Sequence, residues 1–327
     1  MERPVVEKDP REVGEPHLGL KVLYNPLNAG ASIDCDIIAV HGIGAHPDLT
    51  WCKKVEQGSN KEGADVNWLE DANMLPAALP NARIMRFGAK TKWFGNRSIQ
   101  QTASDVARHL LGAIRRDRDT NENDSKTRPL IFVAHCFGGL VVMKALNEAV
   151  DSDLNRHIFN SVTGIAFMGT PFRGAEQTGQ TALVLGAREV YRDVHPGILE
   201  ITAPHSEMRR NILREFTRKQ KDLDAYIVCF YELEYCDVMV VLGEEKDPEM
   251  PETIRVDENS GSLDSADEKI GLQRHHYNMN KFGGPGEETY KIVQEQVVNM
   301  ATRSKTKARY GWSVQFIVRG HPSHSDL

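Results

Sequence analysis

The amino-acid sequence predicts an α/β fold, with a mainly parallel central sheet and helices on both of its faces. Short apolar runs of strand length alternate with longer stretches of helical periodicity, a pattern typical of right-handed βαβ units. One of these runs, residues 130–134, stops at a turn of small residues, and a helical stretch follows immediately. With 327 residues, of which 40% are hydrophobic, the chain is long enough to bury a sizeable core in one α/β domain.

Apolar alternation and spacing locate the first elements. In chain order they are an early strand over residues 17–26, a buried strand over 36–40, one or two helical turns over 68–75, and a strand over 83–87 that ends at Gly88. An amphipathic helix comes next, with Ser98 as its N-cap and residues 117–128 as the charged loop behind it. Its apolar positions recur at three- and four-residue spacing, as expected of a face packed on a sheet: Ile99, Ala103, Val106, Ala107, Leu110, Leu111 and Ile114.

The second half of the chain continues this alternation. The predicted elements are a strand over 162–168, a mostly helical polar segment over 176–222, strands over 225–231 and 237–242, a loop rich in acid, glycine and serine over 244–269, and a closing helix over 287–301. We expect one domain over residues 17–302, with about 176–222 as a cap-like helical insertion. Residues 1–16, which are polar and rich in charge and proline, are expected to be disordered. The sequence gives no physical account of the tail over 303–327.

Composition narrows the class of partner and the compartment. The net charge is −6, so no basic excess favours a nucleic-acid partner, and no apolar run is long enough for a transmembrane helix. The N-terminus has no apolar core of a secretory signal. The five cysteines are odd in number and have no paired metal-type spacing, which favours a reduced, intracellular and cytoplasmic protein. No motif indicates a cofactor.

The turn after residues 130–134 carries the main indication of chemistry. A strand that ends in a tight turn and passes directly into a helix is typical of the nucleophile elbow of the α/β-hydrolase fold, whose usual pattern is G-x-S-x-G. Here Ala134 takes the first glycine position, and Cys136 stands where serine is expected. The positive end of the following helix favours a thiolate at this point. Cys136 is therefore a candidate nucleophile; the alternative is a buried cysteine in a fold that has lost its chemistry.

A thiol nucleophile needs a base and an orienting acid. In this fold the chain order is nucleophile, acid, histidine. The first histidines after the last predicted strand are the adjacent pair His275 and His276, and one of them is the candidate base. The acid should follow the penultimate strand, which favours Glu232, with Glu234 or Asp237 behind it. The histidine pair does not predict a metal site, because neighbours in an extended loop point apart and no third ligand is evident.

The remaining site residues are assigned to the oxyanion and the substrate. Two backbone N–H groups should bind the oxyanion, and we expect those of Phe137, directly after the nucleophile, and of Ile43 in the segment His41–Gly44. Such donors can contribute about 3–4 kcal/mol in the transition state. Gly42 lets the backbone approach the substrate closely. Helices within 176–222 should form part of an acyl pocket, with Phe172 at its rim.

At these residues the chain resembles a known family. The matching stretches are residues 41–47 with Trp51, 67–69 through 74–76, 82–88, 135–140, 169–174, 229–233 and 274–282. They span roughly residues 33–300 and resemble the fungal α/β-hydrolase domains of the serine-active-site-containing, lipase-like group. Such domains are found at the N-terminus of fungal NLR-type proteins with NACHT, ankyrin or tetratricopeptide regions. This chain is similar to a branch with cysteine at the elbow.

The resemblance carries expectations of its own. It selects His276 over His275, because the family's histidine precedes x-x-M-x-K-F. It implies lipase or esterase activity on an acyl-ester or lipid substrate. For serine-bearing relatives it implies phospholipid remodelling at mitochondrial and endoplasmic-reticulum membranes, and hence contact with a membrane surface. Two departures from the family pattern weaken the transfer of these properties to this chain: cysteine replaces serine, and no NACHT or repeat region follows in this sequence.

Three hypotheses follow. The first is a thiol-based acyl hydrolase or transferase with Cys136 as nucleophile, His276 as base and Glu232 as orienting acid. The second is a catalytically diverged domain that serves as a sensor or binding module of a fungal NLR-type protein, with signalling proteins as partners. The third is an acyl acceptor that forms a stable thioester at the elbow.

Overall fold

A computed structural model describes residues 13–57, 60–90, 102–120, 125–173, 206–235 and 256–318, and gives no side-chain placement for residues 56–57, 60–63, 120 and 305–318. Within these ranges the strands are β1 (Gly19–Tyr24), β2 (Cys35–Val40), β3 (Cys52–Gln57), β4 (Asn60–Asn67), β5 (Ala82–Gly88), β6 (Leu130–His135), β7 (Val162–Met168), β8 (Tyr226–Glu232) and β9 (Glu268–Leu272). The helices of the same ranges are α1 (Leu75–Ala78), α2 (Ala103–Thr120), α3 (Phe137–Val150), α4 (Arg156–Ser161), α5 (Glu207–Lys219), α6 (Glu258–Gly261) and α7 (Glu288–Val318).

The central sheet has the strand order β1-β5-β2-β6-β7-β8-β9. In the part of the sheet that the structure describes, β1 pairs antiparallel with β5 and all other neighbours are parallel. The chain leaves β2 towards β5 and then crosses back to β6 on the other side of β2. This reversal creates a crevice beyond the carboxyl ends of β2 and β6, where open α/β sheets place their ligands. The architecture is that of an α/β-hydrolase, as the sequence predicts.

The strands divide their side chains between two cores, one on each face of the sheet. In β6, Phe132 and Ala134 belong to one core, whereas Ile131 and Val133 belong to the other. Helices α2, α3 and α5 cover the first face, and α1 and α7 cover the second. Because both faces are covered, the central strands are apolar throughout instead of alternating with polar residues.

Buried ion pairs stabilise the end of the sheet that lies opposite the crevice. Asp36, at the start of β2, is fully buried and is ion-paired with three arginines. Two of them, Arg83 and Arg118, hold separate oxygens of its carboxylate at 2.8 Å and 3.0 Å. A buried carboxylate is tolerated only with such partners, so this network ties α2 to the strands beneath it.

Several elements differ from the sequence-based expectation. Helix α2 begins at Ala103, not after Ser98, because Thr102 and Asp105 form a reciprocal cap: the Asp105 N–H donates to Thr102 Oγ1 (3.2 Å) and the Thr102 N–H to Asp105 Oδ2 (3.0 Å). It also runs to Thr120, into the predicted charged loop. Ser98 and Ile99 lie outside the described residues. A 3₁₀ turn, Glu15–His17, falls at the end of the segment expected to be disordered.

Other differences concern the second half. The hairpin β3–β4 is not predicted from the sequence, and the start of β9 falls in the predicted loop over 244–269. Helix α7 extends to Val318, well beyond the predicted end at residue 301. Helix α5 occupies the end of the predicted insertion, while residues 174–205 and the predicted strand over 237–242 lie outside the described residues. None of the described helices combines the length and the apolar character that a membrane span requires.

Candidate active site

The candidate site lies where β2 and β6 end side by side. Val40, the last residue of β2, pairs with Ala134 of β6, so His41 and Gly42 emerge next to the elbow. The fit is close: a Cβ placed on Gly42 would lie 2.9 Å from the Cβ and 3.5 Å from the Sγ of Cys136. Gly42 is therefore packed against the candidate nucleophile, and a larger residue there would displace it.

Cys136 occupies a strained backbone conformation. Its φ of 55° and ψ of −126° make it the non-glycine residue with positive φ among those that the structure describes. Its N–H donates to the Met168 carbonyl at 2.8 Å, and its own carbonyl accepts the Gly139 N–H at 3.1 Å. Helix α3 starts at the next residue. The sharp turn brings the backbone of Gly138 close to the end of β2, since a Cβ on Gly138 would lie 2.4 Å from the Val40 carbonyl oxygen. Strain of this kind is characteristic of functional turns.

His276 joins Cys136 to Glu232. Its Nδ1 lies 2.5 Å from Glu232 Oε1, and its side chain also hydrogen-bonds to Cys136. Both His276 and Glu232 are almost fully buried. Burial by itself would lower the pKa of His276, but the negative charges of Glu232 and Cys136 outweigh it and raise that pKa well above the usual value. The raised pKa favours a protonated His276 ring, which lies between Glu232 and Cys136.

Glu232 is held on its second oxygen as well. The Val256 N–H donates to Glu232 Oε2 at 2.9 Å, so each carboxylate oxygen has a defined donor. This fixes which oxygen faces the imidazole. The contact with Oε1 requires a proton on His276 Nδ1. Nε2 is then the nitrogen that can exchange a proton with the Cys136 thiol.

Gly169, directly after β7, makes room for this pair. It has a φ of 56°, and a Cβ there would lie 2.8 Å from Glu232 Oε1 and 3.2 Å from His276 Nδ1. Residues 169–174 are one of the stretches that carry the family resemblance, but no role for Gly169 is predicted from the sequence. Neither Gly169 nor Val256 could be assigned from the sequence, because their importance depends on neighbours far away along the chain.

The two expected oxyanion donors lie directly after the nucleophile and in the turn that follows β2. Phe137 is the first residue of α3, so its N–H has no partner within the helix. Ile43 sits in the turn after β2, half-buried against the core. That turn is clamped by His41, whose Nε2 accepts the Ala89 N–H (3.2 Å) while Nδ1 donates to the Gly42 carbonyl (2.9 Å). Burial lowers the pKa of His41 to about 4, so the ring stays neutral.

The other predicted site residues have partners of their own. Phe172 is buried in the core, with its ring centroid 5.1 Å from that of Phe167. His275 is half-buried, and its Nδ1 accepts the Tyr277 N–H at 3.3 Å. Glu234 is exposed, and its backbone N–H is paired with the Arg274 carbonyl. Asp237 lies outside the described residues. The structure thus brings His276 and Glu232, and not His275 or Glu234, to Cys136.

One cluster has the composition of a metal site but not its chemistry. His17, His46 and Asp48 offer three ligand atoms within 4.8 Å of one another. Each of the two imidazoles accepts a backbone N–H at Nδ1, at 3.0 Å and 3.2 Å. Nε2 then carries the ring proton, whereas a ligating histidine must donate from its other nitrogen. Asp48 is already ion-paired with Arg86 at 2.9 Å. These residues therefore do not suit a cation.

No family model matches this chain. Among curated proteins, it is similar to Protein SERAC1 of Danio rerio, with 29% identity over 165 residues that cover 48% of this chain and 24% of the relative. Protein SERAC1 of Mus musculus is 26% identical over 184 residues, covering 53% and 27%. The chain thus spans about a quarter of the length of the curated relatives it matches.

Solved structures with related architecture include lipases and a phospholipase. The lipase BlEst2 of Bacillus licheniformis is 12% identical, with a TM-score of 0.45 and coverage of 88% of this chain and 95% of the lipase. A lipase-esterase related protein of Clostridium acetobutylicum is 10% identical (TM-score 0.44; 87% and 99% covered). Phospholipase PlaB of Legionella pneumophila is 11% identical (TM-score 0.48; 84% and 64% covered). At this level of identity the similarity carries nothing about the reaction.

Proposed function

We propose that this chain is an acyl hydrolase with a Cys136–His276–Glu232 triad. The observation that carries the proposal is the position of the His276 ring, which bonds to Cys136 on one side and to Glu232 Oε1 at 2.5 Å on the other. Nucleophile, base and orienting acid in hydrogen-bond contact are the signature of nucleophilic catalysis. A cysteine that only filled space would need neither buried partner.

The first half-reaction forms a thioester. Cys136 Sγ attacks the carbonyl carbon, the carbonyl oxygen becomes an oxyanion, and the N–H groups of Phe137 and Ile43 bind it. When the tetrahedral intermediate collapses, the bond to the leaving group breaks. His276 gives its Nε2 proton to that leaving group, and Glu232 holds the imidazole in the required tautomer.

The second half-reaction releases the acid. Neutral His276 takes a proton from water, and the resulting hydroxide attacks the thioester carbon. Collapse of this intermediate breaks the carbon–sulfur bond, which yields a carboxylic acid and the starting Cys136–His276 pair. Alkoxides are poorer leaving groups than thiolates, so acylation from a thioester should be easier than from a simple alkyl ester. The proposed substrates are therefore acyl thioesters and activated acyl esters, with the alkyl esters of lipids at a membrane surface as slower substrates.

The test compares turnover of p-nitrophenyl butyrate and of a matched butyryl thioester by the wild type, Cys136→Ala and His276→Ala. We expect turnover in the wild type only, and a covalent butyryl adduct on Cys136 by mass spectrometry when the reaction is stopped early. Thermal unfolding of each variant serves as the folding control. Undiminished turnover by a folded Cys136→Ala variant would exclude the mechanism.

The same experiment separates the other hypotheses. A butyryl adduct that persists for hours would favour the stable acyl acceptor. Absence of both adduct and turnover across ester and thioester substrates would favour the sensor or binding module of a fungal NLR-type protein, with signalling partners. The contacts of His276 favour the hydrolase over the binding module, because a binding module has no need of a buried histidine–carboxylate pair beside a strained turn.

A further inference from the structure

His135, the residue before the nucleophile, has no role in the proposed reaction, yet it contacts the base. Its side chain is buried, and its Nε2 lies 2.9 Å from the backbone carbonyl oxygen of His276. The centroids of the two imidazole rings lie 5.1 Å apart. The contact joins the end of β6 to the turn that carries the base, across 141 positions in the chain.

The partner atoms decide the protonation of His135. A carbonyl only accepts, so Nε2 carries the proton and donates it. Nδ1 is buried without a hydrogen-bond partner among the described residues, and it faces Gly42, where a Cβ would lie 3.5 Å away. A second ring proton would therefore be a buried charge with no acceptor.

The groups that face the ring also disfavour a second proton on His135. His276 and Lys281 approach from the turn after β9, and His41 approaches from the turn after β2. Burial is the largest influence, and the charge on His276 adds to it, so the pKa of His135 is lowered well below the usual value. His135 is thus a neutral donor across the whole physiological range, while His276 takes the charge.

We propose that His135 is a positioning residue, which holds the His276 backbone through its Nε2–H and thereby keeps the imidazole of His276 in contact with Cys136. This inference rests on the proposed Cys136–His276 pair. Turns are the mobile parts of a fold, and His276 lies in one, so its contact with Cys136 needs an anchor on the rigid sheet. The elbow itself provides that anchor, one residue before the nucleophile.

A matched pair of substitutions separates the hydrogen bond from the volume of the side chain. The amide nitrogen of His135→Gln can reach the position of imidazole Nε2 and donate, whereas His135→Met has a similar length and no donor. The readout is the rate of Cys136 alkylation by iodoacetamide from pH 5 to pH 9, which needs no substrate. Wild type and His276→Ala are measured in parallel.

We expect His135→Met to slow alkylation at pH 7 by about 10- to 100-fold, as for a catalytic group displaced by about 1 Å, and to move the pH profile towards that of His276→Ala. His135→Gln should recover most of the wild-type rate. If His135→Met keeps the wild-type profile while His276→Ala loses it, the positioning role is wrong and the Cys136–His276 pair stands. If His276→Ala changes nothing, the proposed reaction fails first.

A second measurement covers the case in which His135→Met does not fold. The ¹⁵N chemical shifts of the His135 ring in the wild type report its tautomer and its charge. We expect an Nε2–H tautomer that stays neutral from pH 8 to pH 5. An Nδ1–H tautomer, or a charged ring at pH 7, would overturn the proposal without any variant.

Discussion

Glu232 and Val256 hold each other by two hydrogen bonds. The Glu232 N–H donates to the Val256 carbonyl at 3.1 Å, and the Val256 N–H donates to Glu232 Oε2 at 2.9 Å. One bond fixes the backbone at the end of β8, and the other fixes the carboxylate. Glu232 therefore presents Oε1 to His276 in a single orientation before any substrate arrives.

Replacement of Glu232 by Gln should abolish most of the activity. The amide has one acceptor oxygen for the two donors, Val256 N–H and His276 Nδ1–H, and it has no charge to stabilise the imidazolium. We expect kcat to fall by about 10²- to 10⁴-fold, measured with p-nitrophenyl butyrate.

The matched control is Glu234→Gln, at an exposed carboxylate two residues along. It should retain wild-type kcat and the wild-type unfolding midpoint. Equal losses in the two variants would show that Glu232 is not the orienting acid.

Replacement of Cys136 by Gly should give a more stable protein than replacement by Ala. Both variants lack the thiol, but only glycine adopts a φ of 55° with a ψ of −126° without strain. We expect a difference of about 1 kcal/mol in the free energy of unfolding, obtained from urea titrations of the two variants. A less stable Gly variant would mean that the elbow is not under backbone strain.

Replacement of Gly169 by Ala should damage both stability and activity. The new Cβ would lie 2.7 Å from Met279 Sδ and 2.8 Å from Glu232 Oε1, in a backbone with positive φ. We expect a loss of about 1–3 kcal/mol in the free energy of unfolding together with a drop in kcat, because Glu232 must move.

Gly30→Ala is the control for backbone conformation alone. Gly30 has a φ of 73°, and a Cβ there would meet nothing within 4 Å. This variant should lose about 1 kcal/mol of stability and keep its kcat. A Gly169→Ala variant that behaves like Gly30→Ala would argue against the crowding of Glu232.

The stability of the protein should fall between pH 6.5 and pH 4 because of His41. Its folded pKa of about 4 lies below the unfolded value near 6.5, so the unfolded chain binds the proton first and stability is lost as the pH falls. The gap corresponds to about 3 kcal/mol. Urea titrations at several pH values should show a shallower loss in His41→Gln than in the wild type.

His109→Gln, at an exposed position of α2, provides the comparison. Other buried histidines contribute equally to the wild type and to both variants, so they cancel in the difference. If His41→Gln and the wild type lose stability in parallel, His41 is not buried in its neutral form.

The elements that could be predicted are those with a strong local pattern. The apolar run before Cys136 and the helix after it are readable from a dozen adjacent residues, and the order of nucleophile, acid and histidine then limits the search to a few positions. This order favours Glu232, with Glu234 or Asp237 behind it, and the pair His275 and His276, from which the family resemblance selects His276. In the structure His276 Nδ1 lies 2.5 Å from Glu232 Oε1.

The features that were missed depend on distant neighbours. Strand β9 begins with the charged residues Glu268 and Lys269 and owes its existence to pairing with β8. The strands of the β3–β4 hairpin have no continuous apolar pattern. The start of α2 was misplaced because two cap signals lie four residues apart, at Ser98 and Thr102, and the sequence does not rank them. The roles of Val256 and Gly169 follow only from the folded arrangement around Glu232.

The close packing of Gly42 and Gly138 around the elbow determines what can be exchanged there. Both glycines leave no room for a Cβ, so the path of the main chain is fixed on both sides of residue 136. The fixed main chain determines the position of the reacting atom of residue 136, whether that atom is sulfur or oxygen. The same backbone can therefore carry a thiol or a hydroxyl at position 136. The substitution Cys136→Ser exchanges the sulfur atom for oxygen and leaves the surrounding main chain in place.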